Sequence, residues 1–359
     1  MKVAILGGGN GARASAAYLT VKGFDVKLYS AFKNELKDIQ EKGGIEYSGA
    51  IGEGFAEFPV ASTLADTLEE VDIINIVTPA TAHEYFAKAC SSYLTTDRLV
   101  FLNPGSTGGS LNFARALREH GLKDLPLICE TNTLTYVTRI KNPIHIEIFS
   151  VSKYLLFAAF PGRRVNEAYD LVRQLYPSIK LAENVLETGL HNMNSILHPP
   201  GMLMNAGWIE YSKGQFYYYY EGTTPAVGRM IETLDAEREA VARKLGVKTQ
   251  SFLEVFHASG LTIDSSSVYN AMQASEADRY INAPSSLAYR FLSEDVPYGL
   301  VPVSSIGKEI DAPTPFIDIF IILASHVNQT DYWKTGITAE KMGIKGMGVE
   351  KLKKYLQDG

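Results

Sequence analysis

Cysteine is almost missing from this chain. Cys90 and Cys129 are the only two among 359 residues, too few for a disulfide framework or a cysteine-based metal centre. An excess of one charge is missing too. The 34 basic and 40 acidic residues leave a formal net charge of −6, with no long run of either sign. That argues against a nucleic-acid backbone or an anionic membrane surface as the main partner. No uninterrupted run of about 18 apolar residues occurs, so no membrane span is expected. The opening "MKVAILGGGNGA" meets glycines where a secretion signal needs an unbroken apolar stretch. A reducing cytoplasm is the expected compartment. Internal repeats, low-complexity tracts and extended linkers are absent as well.

Apolar mass, by contrast, is plentiful. Hydrophobic residues make up 46% and charged residues 21%, the balance of a globular protein with a substantial core. The length exceeds one ordinary domain and suits two. Val3–Leu6, Phe24–Tyr29, Val71–Ala80, Arg98–Ser106 and Leu125–Thr133 read as buried strands separated by helical segments, and His145–Phe160 still reads as strand. This alternation predicts an α/β Rossmann domain with a doubly wound, mostly parallel sheet over residues 1–183. Beyond it the β-branched runs fade, and residues 184–359 are expected to form an all-α domain.

Gly7, Gly9 and Ala12 satisfy G-x-G-x-x-A between the first strand and the first helix. Gly7 allows the sharp turn, Gly9 lets a pyrophosphate approach the backbone, and Ala12 lets helix and strand pack closely. Asn10 and Gly11 belong to the same cofactor turn, and Pro79 stands in a loop at the same sheet edge. An NAD site usually carries an acid at the end of the second strand. Ser30 stands about there, with Lys33 nearby, a pair better suited to a 2′-phosphate. The cofactor reading therefore tilts slightly towards NADP, with NAD open.

The segment "HNMNSILHPPGMLMNAG" (His191–Gly207) sets a polar stripe in an apolar helical pattern. His191, Asn194, His198 and Asn205 fall near one face, and Pro199 with Pro200 is expected to kink or stop the helix. A dehydrogenase needs a group that exchanges a proton as hydride moves, and His198 fits that role. His191 reads as a satisfied core residue. A carboxylate should orient the histidine, and a guanidinium should clamp a substrate anion. Asp295 and Arg290 in "LAYRFLSEDVPYGLVPVSSIG" offer these. "DAER" (Asp235–Arg238) reads as an ordinary salt-bridged helical face.

The motifs "GGGNGA", "NPGSTGG" (Asn103–Gly109), "HNMNSILHPP", "YYEGTTPAVG" (Tyr219–Gly228), "DAER" and "EDVPYGLVP" (Glu294–Pro302) occur in the order found in opine dehydrogenases. Over essentially its whole length the chain resembles the N-(1-carboxyethyl)norvaline and octopine dehydrogenase group. The resemblance implies a 6-phosphogluconate dehydrogenase-like helical domain after the Rossmann domain, with an active site between the two. It also implies reductive condensation of an amino acid with a 2-oxo acid such as pyruvate, using NAD(P)H. Carried over, His198 is the acid/base, Asp295 its partner and Arg290 the carboxylate clamp. Asn194 and Thr107 are further substrate-binding candidates. One or two rings of "FYYYYEG" (Phe216–Gly222) are expected at the amino-acid pocket. No metal is expected, and a homodimer is left open. Two other readings stand: a 2-oxo acid reductase of the ketopantoate reductase type, and a non-catalytic NAD(P)H sensor. The first usually relies on a lysine, and none lies between His191 and Gly207.

Overall fold

Runs such as "LVFL" and "IINI", apolar at almost every position, suit strands covered on both faces. The computed structural model, which describes residues 1–32 and 34–359, shows them so. Its strands are β1 (Lys2–Leu6), β2 (Asp25–Tyr29), β3 (Gly44–Gly49), β4 (Gly54–Glu57), β5 (Ile73–Ile76), β6 (Leu99–Leu102), β7 (Leu127–Thr131), β8 (Tyr136–Asn142), β9 (His145–Val151), β10 (Leu155–Phe160) and β11 (Ile179–Leu181). A seven-stranded sheet has the order β11-β10-β7-β6-β5-β1-β2. Its strands run parallel except where β10 pairs antiparallel with β7. From β1 the chain steps to β2 on one side and later to β5 on the other. That reversal opens a crevice beyond the strand ends at β1 and β5, where such sheets bind ligands.

A second sheet, of order β4-β3-β9-β8, was not foreseen. The continuous strand expected over His145–Phe160 is in fact two strands in two sheets. Between them the Ser152 hydroxyl donates to the Tyr154 carbonyl at 2.8 Å, an ST-type turn that breaks the run.

The chain divides into a first unit, Met1–Thr188 with Lys354–Gly359, and a second, Gly189–Lys353. The sequence reading, 1–183 and 184–359, had no place for the last six residues in the first unit. There the Tyr355 ring packs on Phe160 at 5.2 Å and its hydroxyl accepts from Arg118 at 3.1 Å. The second unit is helical. Its main helices are Asn194–Met204, Pro225–Leu245, Val301–Glu309 and Pro315–Val327. Among the described residues no helix is long and apolar enough to cross a membrane.

Two details differ from the sequence reading. The helix Asn194–Met204 continues through Pro199 and Pro200 rather than stopping there. The prolines remove two donors, but residues 195–203 are almost all buried. Neighbouring helices, including Pro225–Leu245 and Pro315–Val327, hold the turn in place. Nor is "DAER" a solvated face. Arg238 is 1% exposed and donates to Asp235 at 2.8 Å, to the Leu190 carbonyl at 2.8 Å and to the Gln250 carbonyl at 2.6 Å. The other Asp235 oxygen accepts from the Phe252 N–H at 2.7 Å. The pair is buried because it serves backbone groups that the helix packing hides from water.

Candidate active site

In the first unit the glycine turn has the geometry its residues demand. Gly7 has φ +140°, and a Cβ there would strike the Val77 carbonyl oxygen and lie 3.2 Å from the Ala12 Cβ. Gly9 caps the helix Asn10–Val21 in extended backbone, and a Cβ on it would find no atom within 4 Å. This open approach to a helix N-terminus fits a pyrophosphate. Gly11 serves packing instead, since a Cβ there would lie 2.9 Å from Leu134 and 3.0 Å from Val77. The Asn10 side chain is committed to structure: its Oδ1 accepts from the Ile140 N–H of β8 at 2.6 Å. Pro79 is exposed just before the turn Ala80–Ala82.

The ribose end differs from the sequence reading. The Ser30 hydroxyl donates to the Glu35 carboxylate, and that carboxylate lies where a Cβ on Gly8 would sit. An acid therefore does stand at the end of β2, contributed from five residues further along. Sequence inspection missed it because the acid was sought at Ser30 itself. Arg13, buried, fixes this arrangement by donating to the Gly8 carbonyl at 2.8 Å, the Glu35 carbonyl at 2.9 Å and the Pro143 carbonyl at 2.6 Å. Lys33 lies outside the described residues.

At the same sheet edge the loop after β6 carries the "NPGSTGG" motif. Asn103 is fully buried, and its Oδ1 accepts from the Thr135 N–H and hydroxyl at 3.3 and 3.0 Å. Its Nδ2 is buried without a hydrogen-bond partner among the described residues. Thr107 is fully buried.

In the second unit His198, 6% exposed, and Asp295, 5% exposed, are brought together across 97 residues. His198 Nδ1 lies 2.6 Å from Asp295 Oδ2. Asp295 is set by its backbone. Its N–H donates to the Arg290 carbonyl at 3.2 Å, and its carbonyl accepts from the Leu300 N–H at 3.1 Å. The Phe291 ring stacks on the imidazole, 3.6 Å between centroids and 12° from parallel. The Tyr218 hydroxyl donates to the His198 carbonyl at 2.7 Å. With Nδ1–H given to the carboxylate, Nε2 of the neutral ring is an acceptor, and the Tyr219 hydroxyl donates to it at 3.0 Å.

Asp278 is a second acid near His198. Burial raises its pKa, opposed by the Ser275 hydroxyl and by the positive charge that His198 carries when protonated. Arg290 opens the short helix Arg290–Ser293 with its guanidinium half exposed, 3.0 Å from Glu294. Asn194 is exposed at the start of its helix, and His191 is buried, accepting from the Gln250 N–H at 3.3 Å. Tyr219 and Phe291 are the residues the sequence did not single out. Of the tyrosine run the sequence said only that one or two rings would line the amino-acid pocket.

Residues 181–328 match the family model "NAD/NADP octopine/nopaline dehydrogenase, alpha-helical domain". The chain is 36% identical over 346 residues to an opine dehydrogenase of Arthrobacter sp. (strain 1C), covering 96% of this chain and 95% of that protein. Among solved structures it resembles octopine dehydrogenase with NADH and L-arginine, at a TM-score of 0.77 and 18% identity over 96% of this chain and 98% of that one. Yersinopine dehydrogenase with NADP+ bound has a TM-score of 0.73 at 14% identity, over 99% and 97%.

Proposed function

The chain belongs to the opine dehydrogenase family, and from that premise we infer that it joins an amino acid to a pyruvate-like 2-oxo acid and reduces the product, with His198 moving the proton. It is an NAD(P)-dependent oxidoreductase. The observation that carries the assignment of roles is the buried His198–Asp295 pair with Nε2 left as the working nitrogen. Neutral His198 takes a proton from the substrate ammonium at Nε2, freeing the nitrogen lone pair to attack the 2-oxo carbon. The imidazolium then returns that proton to the hydroxyl of the adduct, which leaves as water. Asp295 holds the Nδ1–H tautomer and stabilises the cation between these events. Phe291 covers one ring face and keeps water from it. Arg290 presents its half-exposed guanidinium to a substrate carboxylate, and Asn194 and Thr107 are further substrate contacts in this reading.

The open face of Gly9, the helix N-terminus at Asn10 and the buried amide of Asn103 fit a dinucleotide, with Gly7, Gly11 and Ala12 shaping the turn. Bound cofactor supplies the hydride for the last step. Glu35 favours ribose hydroxyls over a 2′-phosphate, because a carboxylate repels the latter, so NADH is the proposed donor. The test holds pyruvate constant, varies the amino acid and follows oxidation of NADH and NADPH. Oxidation that depends on the amino acid supports the reading. Reduction of pyruvate alone would replace it with a simple keto-acid reductase.

A cytoplasmic homodimer is proposed as well. Ile319, Ile322, Leu323 and Val327 form an exposed apolar stripe on the helix Pro315–Val327, more than a lone surface residue. Sedimentation of the wild type beside Ile322→Glu checks it, a monomer in both counting against the dimer.

A further inference from the structure

Glu130 is fully buried near the C-terminal end of β7 and takes no part in the chemistry above. Its Oε2 accepts from the Ser110 N–H at 3.0 Å and the Ser110 hydroxyl at 2.5 Å. Its Oε1 lies 2.5 Å from the Thr188 hydroxyl oxygen. Gly105 packs directly on the carboxyl, so that a Cβ there would overlap it. The carboxyl thus braces the "NPGSTGG" loop at Gly105 and again at Ser110, where the helix Gly109–Glu119 begins.

Among the described residues, the groups that act on the carboxyl are hydroxyls and an N–H, with no charge among them. On the flanking strands Leu102 and Ala158 stand opposite Glu130. Cys129 beside it is a thiol pushed far up by burial. His83, packed against Gly109, is held neutral by burial, with its pKa lowered to about 4. Ser110 and Thr188 contribute only hydroxyls and an N–H.

The hydrogens can be counted. Thr188 has one hydroxyl hydrogen and two neighbours within reach of it, Glu130 Oε1 and the Val185 carbonyl at 2.9 Å. With a carboxylate, that single hydrogen is shared between the two, whereas a proton on Oε1 lets Glu130 donate to Thr188 and Thr188 donate to Val185. Desolvation points the same way. It raises the carboxyl to about 7, outweighing the hydrogen bonds from Ser110 and Thr188 that pull it down.

We propose that Glu130 is a positioning residue for the cofactor loop, acting as an uncharged carboxylic acid that ties Gly105 and Ser110 to Thr188. This rests on placing residues 103–109 at the cofactor. When Glu130 ionises, the tie loses its donor, a charge is left in an apolar sheet, and the loop loosens.

Glu130→Gln tests it, because an amide keeps a donor for Thr188 and an accepting oxygen for Ser110 and cannot ionise, and its second N–H hydrogen adds an offset that does not change with pH. Two readouts need no turnover. The first is the difference in denaturation midpoint between the variant and the wild type across pH. Glu130 contributes stability that is fully present below about 4.5 and lost as pH rises to about 7. The variant should therefore gain on the wild type across that window and no further above it. The second is the dissociation constant for NADH by fluorescence. It should weaken at least threefold in the wild type between pH 6 and 8.5 and stay level in the variant. Parallel midpoints overturn the acid. A gain in stability with parallel dissociation constants overturns the positioning role. A Glu130→Gln chain that does not fold also counts against the proposal. If wild type binds NADH but turns over no amino acid, the opine reading fails while both arms still decide Glu130.

Discussion

In the proposed chemistry the two nitrogens of His198 carry different duties, and substitution separates them. His198→Ala removes the proton-exchanging group and is expected to lower kcat by roughly 10²- to 10⁴-fold. Asp295→Asn keeps a polar neighbour at Nδ1 but can fix the wrong tautomer, so a loss of similar order is expected with KM little changed. Tyr219→Phe only deletes the hydroxyl on Nε2. A neutral hydrogen bond is worth about 1 kcal/mol, so kcat should change by less than about tenfold. A loss as deep as that of His198→Ala would make Tyr219 part of the proton path. At the ribose end, Glu35→Gln removes a charge that discriminates against a 2′-phosphate. The ratio of kcat/KM for NADH over NADPH should fall by about tenfold or more. An unchanged ratio would mean that Glu35 serves Ser30 and Gly8 alone.

Element by element, the chain shows which signals are local. The G-x-G-x-x-A turn and the apolar strands β1, β5, β6 and β7 were legible because each is decided within a dozen residues. The sheet β4-β3-β9-β8 was not. Its β3–β9 pairing joins Gly44–Gly49 to His145–Val151 across about a hundred residues, and no local pattern announces such a partner. His198, Asp295 and Arg290 could be named as candidates from residue type and order, whereas the placement of Glu35 and Phe291 depends on where a loop returns. The buried Asp235–Arg238 pair was misread for the same reason. Its charged spacing is that of a surface helix, and only the packing of the helix Pro225–Leu245 reveals what the guanidinium serves. Since Arg238 holds Leu190 and Gln250 through separate nitrogens, Arg238→Ala should destabilise the second unit by roughly 3–5 kcal/mol. Arg238→Lys should recover only part, because an ammonium lacks the fork. Urea denaturation followed by tryptophan fluorescence measures it, both Trp208 and Trp333 lying in that unit. A loss below about 1 kcal/mol would show that the backbone carbonyls find other donors.

At the scale of the whole molecule, two buried groups of the first unit oppose each other in their dependence on pH. Neither ring nitrogen of His83 has a hydrogen-bond partner among the described residues, and burial lowers its pKa from 6.5 to about 4. The unfolded chain binds this proton first. His83 therefore contributes stability that is present above about 6.5 and lost as pH falls towards about 4. Glu130 does the reverse, losing its contribution as pH rises from about 4.5 to about 7. Each shift of about two and a half units corresponds to about 3 kcal/mol. Between about 4.5 and 6.5 the two slopes nearly cancel, and the wild type hides both. His83→Leu should expose the Glu130 slope as a stability that falls across that interval. It should also be the more stable protein at acid pH, since leucine fills the site without an unpaired nitrogen. Denaturation midpoints at pH 4.5, 5.5 and 6.5 decide the matter. If His83→Leu tracks the wild type at all three, the imidazole is not buried neutral, and the cancellation does not exist.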